Sequence, residues 1–97
     1  KKGDLELTRE LSVNVQVTEI MMSILDKGAD VNAKDNDGRT ALMFATMFGH
    51  TKTVKLLIIK GADINAIDHR RFTALKYASS YERTEIAELL KQHGALM

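Results

Sequence analysis

The sequence predicts an all-α fold: a solenoid of about three 33-residue units, each built as helix, turn, helix and long loop. Three observations predict it. The hexapeptide Gly28-Ala29-Asp30-Val31-Asn32-Ala33 recurs as Gly61-Ala62-Asp63-Ile64-Asn65-Ala66, and Gly94-Ala95 opens it again, with spacings 61 − 28 = 33 and 94 − 61 = 33. Residues 28–60 laid over 61–93 agree at 13 of 33 positions, among them Asp35 with Asp68, Thr40-Ala41-Leu42 with Thr73-Ala74-Leu75, and Leu56-Leu57 with Leu89-Leu90. Within a unit, Val54, Leu57 and Ile58 fall at i, i+3 and i+4, which makes an apolar stripe on one helix. A lone unit cannot cover that stripe, whereas a stacked neighbour can.

The elements follow in order. Counting back 33 from Thr40 places a first helix near residues 7–15, with Leu7, Leu11 and Val15 at i, i+4 and i+8, and residues 18–27 read as a second helix leading into Gly28. A rival register takes residues 3–11 as a second helix, and Ser12-Val13-Asn14-Val15-Gln16-Val17 alternates like a strand. Thr40 and Thr73 suit helix N-caps, because a hydroxyl accepts from an orphan backbone N–H. Leu42 and Ala45 then share a face. Gly49 takes the left-handed conformation that ends the first helix, Thr51 is expected to cap the second, and Gly61 ends it. Residues 62–72 hold turn residues without a helical stripe and read as an extended loop with a tight turn.

Composition bounds the function. The 97 residues amount to one small domain, 44% hydrophobic and 28% charged. Fourteen Lys and Arg against 13 Asp and Glu leave a net charge of +1, so no global field attracts nucleic acid or an anionic membrane. Cysteine is absent, which excludes disulfides, thiolate metal sites and a Cys nucleophile and fits a reducing compartment. The chain opens at Lys1-Lys2 with no apolar signal segment, and is read as an excerpt or a processed piece with an intracellular, cytoplasmic location.

The segment Asp35-Asn36-Asp37-Gly38-Arg39-Thr40-Ala41-Leu42-Met43-Phe44-Ala45, with the stretch from Gly49-His50 through Asn65-Ala66, resembles the ankyrin repeat. The resemblance runs over residues 16–97 and includes the family's 33-residue period. On this resemblance the chain is expected to be one domain, with residues 1–33 a degenerate N-terminal capping repeat, 34–66 a central repeat and 67–97 a C-terminal capping repeat. The family's Thr-Pro-Leu-His is Thr40-Ala41-Leu42-Met43 here and Thr73-Ala74-Leu75-Lys76 in the next unit. Losing the Pro that pre-sets the first turn, and the His that ties neighbouring loops, is expected to loosen the stack. Glu82-Arg83 replaces Gly49-His50. Arg71 stands where the preceding turn has Gly38; a side chain at positive φ costs about 1 kcal/mol or more, so the second turn is expected to take another shape.

Sites for chemistry do not emerge. Asp35-Asn36-Asp37-Gly38 resembles the start of a calcium loop, but with Gly38 sixth the first position is Ala33 and the twelfth Phe44, so it reads as a turn. The three histidines, His50, His69 and His93, lack the spacing of a metal pair. No nucleophile motif or phosphate loop is present; Ser79-Ser80 reads as polar surface, and Lys52, Lys55 and Lys60 as a solvated helix face. No catalytic residue, metal or cofactor is expected.

The resemblance implies partner binding by loop tips and the exposed side of the first helices. Carried over by position, those places are Asn36, Asp37, Arg39, Met47 and Phe48 in one unit, and His69, Arg70, Phe72, Ser80 and Tyr81 in the next, with Lys34 and Ile67 on the same face. Met47, Phe48, Phe72 and Tyr81 are the size of interface anchors; the bland alternative is that Phe48 or Tyr81 fills space between helices. The function expected is binding another protein, with no nucleic acid or membrane partner. The alternatives are a piece of a longer array, a self-association module that makes homo-oligomers, or the regulatory part of an enzyme. Asn32 and Asn65 occupy turns that undergo asparagine hydroxylation in some members of that family.

Overall fold

A computed structural model describes residue 28 and residues 30–96. Both helices expected before Gly28, and the choice between the two registers there, lie outside the described residues. Among the described residues four helices run in order: α1 (Ala41–Met47), α2 (Thr51–Ile59), α3 (Ala74–Ser80) and α4 (Thr84–Gln92). There is no strand among the described residues. The chain is an all-α helix-turn-helix stack, with α1 packed on α2, α3 on α4, and the second pair laid on the first, α3 against α1 and α4 against α2.

The first helix of each pair begins as the sequence requires. Thr40 accepts from the Met43 N–H at 3.3 Å and Thr73 from the Lys76 N–H at 3.1 Å. Thr40 N–H in turn donates to the Met43 sulfur, which stands in for the acid of a capping box. The second helices differ from expectation. Thr51 is the first helical residue rather than the cap; His50 and Arg83 hold the cap positions of α2 and α4, and neither makes a side-chain capping bond. The cause is the turn before them, which swings through Gly49 at φ 73° and Glu82 at φ 56° and delivers the chain one residue early.

The second loop also corrects its expectation. Arg71 sits at φ 65°, close to the 78° of Gly38, and the two turns bond alike. Asp35 N–H donates to Arg39 O and Gly38 N–H to Asp35 O; Asp68 N–H donates to Phe72 O and Arg71 N–H to Asp68 O. In each turn the aspartate Oδ1 accepts two backbone N–H groups, from Asp37 and Arg39 in one and from Arg70 and Phe72 in the other. These bonds outweigh the roughly 1 kcal/mol cost of a side chain at positive φ.

Two apolar clusters hold the stack. The larger joins Leu42, Ala45, Val54 and Leu57 of the first pair to Ala74, Leu75, Ala78, Ile86 and Leu90 of the second. The smaller joins Met43, Met47, Ala66 and Tyr77, with Phe44 and Phe72 against it. Polar ties repeat with the same period. Asn32 Oδ1 accepts from Asp63 N–H and its Nδ2 donates to Gly61 O; Asn65 Oδ1 accepts from Leu96 N–H and its Nδ2 donates to Gly94 O. Loops are further joined by His69 N–H to Asp37 O at 2.9 Å and by Lys34 Nζ to Ile67 O at 3.2 Å. The neighbouring units therefore keep direct bonds without the Pro and His of the family's Thr-Pro-Leu-His, which are Ala41 and Met43 in one unit and Ala74 and Lys76 in the next.

Candidate interaction face

The face expected to meet a partner is built from the two tight turns and the outer ends of α1 and α3. Asn36, Asp37, His69 and Arg70 stand exposed at the turns, and Ile67 lies 44% exposed beside them. At the helix ends Phe48 is 63% and Tyr81 51% exposed. Each is the C-cap residue of its helix, so its ring leaves the core as the chain turns away. Phe48 stacks on Phe44, four residues earlier, with centroids 6.5 Å apart, and tilts toward His50 at 6.2 Å. Tyr81 lies 6.3 Å from Tyr77, also four residues earlier, and Tyr77 lies 5.2 Å from Phe72. Phe72 is half-buried under these rings.

Met47 does not belong to this face. It is only 7% exposed, because it lies one turn after Met43 on the side of α1 that Ala66 and Tyr77 cover. Its backbone carbonyl is also occupied: Arg83 clamps it with Nε at 3.1 Å and Nη2 at 2.9 Å. The same guanidinium lies 3.1 Å from where a Cβ on Gly49 would stand.

Charge is arranged around the rings. Arg39 reaches Asp37 at 2.6 Å and Asp35 at 3.5 Å while lying 5.1 Å from the Phe44 centroid. Hydrogen bonds from the Arg39 and Asp37 backbone N–H groups, the former dominant, hold the Asp35 carboxyl below its ordinary value against the opposing effect of burial. Asp68 is buried, which pushes its carboxyl upward, but the Tyr77 hydroxyl and the N–H groups of Phe72 and Arg70 outweigh that and hold it low. Burial, then the hydrogen bond to Asp68, push the Tyr77 hydroxyl up to about 12. The pair is a fixed brace under the face, with Asp68 ionised and Tyr77 protonated across the neutral range.

Sequence reasoning did not single out four residues that shape this face. Phe44 and Tyr77 were visible as i, i+4 partners of Phe48 and Tyr81. Lys76, at the position of Met43, becomes an exposed cation beside Phe72. Arg83, noted only as a departure, had no local signal for its bond to a carbonyl 36 residues earlier.

Among the described residues no three His, Asp or Glu side chains are grouped to hold a metal ion. No helix of the described residues is long and apolar enough to cross a membrane. The profile of the family "Ankyrin repeats (3 copies)" matches residues 7–97. The chain belongs to the ankyrin repeat family. Ankyrin repeats serve in general as protein-interaction modules and are typically non-catalytic, and the exposed rings and charged turns lie on such a module here. A curated relative, "Probable E3 ubiquitin-protein ligase XBOS33" of Oryza sativa subsp. japonica, is 44% identical over 41 residues, which are 42% of this chain and 8% of that protein. The ankyrin chain thus corresponds to a small part of that relative's length.

Proposed function

We propose that this ankyrin domain binds another protein through its turn tips and the exposed ends of its first helices, and performs no chemistry of its own. The observation that supports this reading is the exposure of Phe48 and Tyr81 at equivalent positions of successive units, 63% and 51%, each backed by a ring four residues earlier. Exposed aromatic groups on a rigid support have the character of interface anchors. Asp37, Arg39, His69 and Arg70 supply a polar rim, with Asn36 and Ile67 completing the edge. Domain boundaries follow the same reading: 1–33 caps the stack, 34–66 is central and 67–97 caps the other end. The last assignment draws on side-chain replacement across the period. Met43, Thr46 and Ile58 of the central unit are replaced by the more polar Lys76, Ser79 and Lys91 at the matching positions of the last unit.

The test is to capture binding proteins on the immobilised chain, identify one, and titrate it in purified form against Phe48→Ala and Tyr81→Ala. Each substitution is expected to weaken binding by about 1–3 kcal/mol. Full-strength binding by both variants contradicts the proposed face. Concentration-dependent mass in sedimentation, lost in the same variants, assigns the face to self-association instead.

A further inference from the structure

The two turns share a backbone and differ in charge. In the first, Arg39 is neutralised by Asp37 and Asp35. In the second, 33 residues on, Arg70 takes the place of Asp37 and Arg71 that of Gly38. The Arg70 guanidinium lies 4.7 Å and the Lys76 ammonium 5.7 Å from one ring centroid, that of Phe72. Among the described residues neither cation has a carboxylate within ion-pair distance. The one acid of this turn, Asp68, is buried and engaged by the Tyr77 hydroxyl and two backbone N–H groups. Of the other exposed acids of the unit, Glu82 and Glu88 line a groove together with Lys76 but beyond ion-pair distance of it, and Glu88 faces Lys91 at 3.7 Å; Glu85 lies on α4 outside that groove. The buried Asp68 carboxylate acts on Arg70 and offsets part of this charge, so the second turn and α3, with Arg70, Arg71 and Lys76, carry a net positive corner on an aromatic floor, beside Ile67 and Tyr81.

We infer that this corner receives an acidic peptide segment of a partner protein, with a carboxylate between Arg70 and Lys76 and an adjoining apolar side chain against Phe72 and Tyr81. The inference rests on the proposed docking face and names the chemistry that face selects. A carboxylate neutralises two like charges held on one ring, and the half-buried floor lowers their screening. A nucleic-acid backbone fits less well: the corner offers Arg70, Arg71 and Lys76, with Lys34 tied to Ile67 O at its edge, broken by apolar groups in a chain of net charge +1.

Selection of random displayed peptides on the intact 97-residue chain reads this chemistry directly. The expected pool is enriched in Asp or Glu next to a large apolar residue. A synthetic peptide of the selected sequence is expected to bind about tenfold or more weakly to the Arg70→Gln, Lys76→Gln double variant. The same loss is expected when its acids become Asn or Gln, and binding to the original chain is expected to fall as salt rises. Both substituted side chains are exposed, and circular dichroism checks that the variant stays folded. Selected peptides without acids, acidic peptides that bind the double variant unchanged, an empty pool, or tighter binding of a single-stranded oligonucleotide each overturn the inference. If Phe48→Ala and Tyr81→Ala still weaken acid-free peptides, the docking face stands and only its acidic preference falls. If neither substitution matters, the face itself is wrong.

Discussion

Arg71 holds a conformation that favours glycine, and its turn nevertheless copies that of Gly38. Arg71→Gly is therefore expected to raise stability by up to about 1 kcal/mol, less whatever the freer unfolded chain returns. Urea denaturation measures it, and a destabilised variant would show that the Arg71 side chain makes a compensating contact. Gly38→Ala is the opposite case. Its φ is 78°, and an added Cβ would lie 2.7 Å from the His69 ring, so it should destabilise by clearly more than Arg71→Gly stabilises. The Asp68–Tyr77 pair carries a pH dependence whose sign is fixed. Asp68 is held below its ordinary 3.8, so its stabilisation is present above that pH and lost as pH falls through the lower folded value. Tyr77 is raised from 10.0 to about 12, so its stabilisation is present below pH 10 and lost as pH rises toward 12. Denaturation midpoints of the original chain and Tyr77→Phe, followed across both limits, should converge on the alkaline side, where the original loses what the variant never had. Parallel curves there would contradict the assignment.

At the scale of elements, the helices were legible because their signals are local. Thr40 and Thr73 mark the starts of α1 and α3 by hydroxyl capping, and Val54 and Leu57 mark the buried side of α2 by spacing. The second-helix caps were less legible, since the position of His50 is set by the left-handed turn at Gly49 and not by the hydroxyl of Thr51. The shape of the second turn was hidden for a related reason: a propensity against Arg at positive φ is smaller than the four hydrogen bonds that Asp68 and Phe72 anchor. Met47 was misplaced because Phe48, its neighbour, does face outward; a seven-residue helix gives too short a stripe to separate a last helical position from a C-cap. Leu57 is fully buried between the helix pairs, so Leu57→Ala should cost about 2–5 kcal/mol through the cavity it opens. A change within about 0.5 kcal/mol, normal for a surface site, would remove α2 from the core as described.

Across the stack, repetition explains the fold and the paired rings of Phe48 and Tyr81, and departures from repetition set the charge around them. Stability comes from contacts that recur every 33 residues, the Asn32 and Asn65 bridges and the leucines of the larger cluster. Such a stack presents an extended edge rather than a closed pocket, which suits recognition of another chain. Two departures change the charge of that edge: Arg70 faces outward at the position of Asp37 and Lys76 at the position of Met43. Phe48 and Tyr81 are proposed to serve recognition and not folding. The most direct measurement pairs urea denaturation with a binding isotherm on Phe48→Ala and Tyr81→Ala, using one purified partner. Unfolding midpoints near that of the original chain, with binding weakened by about 1–3 kcal/mol in each variant, are the result predicted. Unfolded variants would place both rings in the core, and folded variants with undiminished binding would place the interface elsewhere.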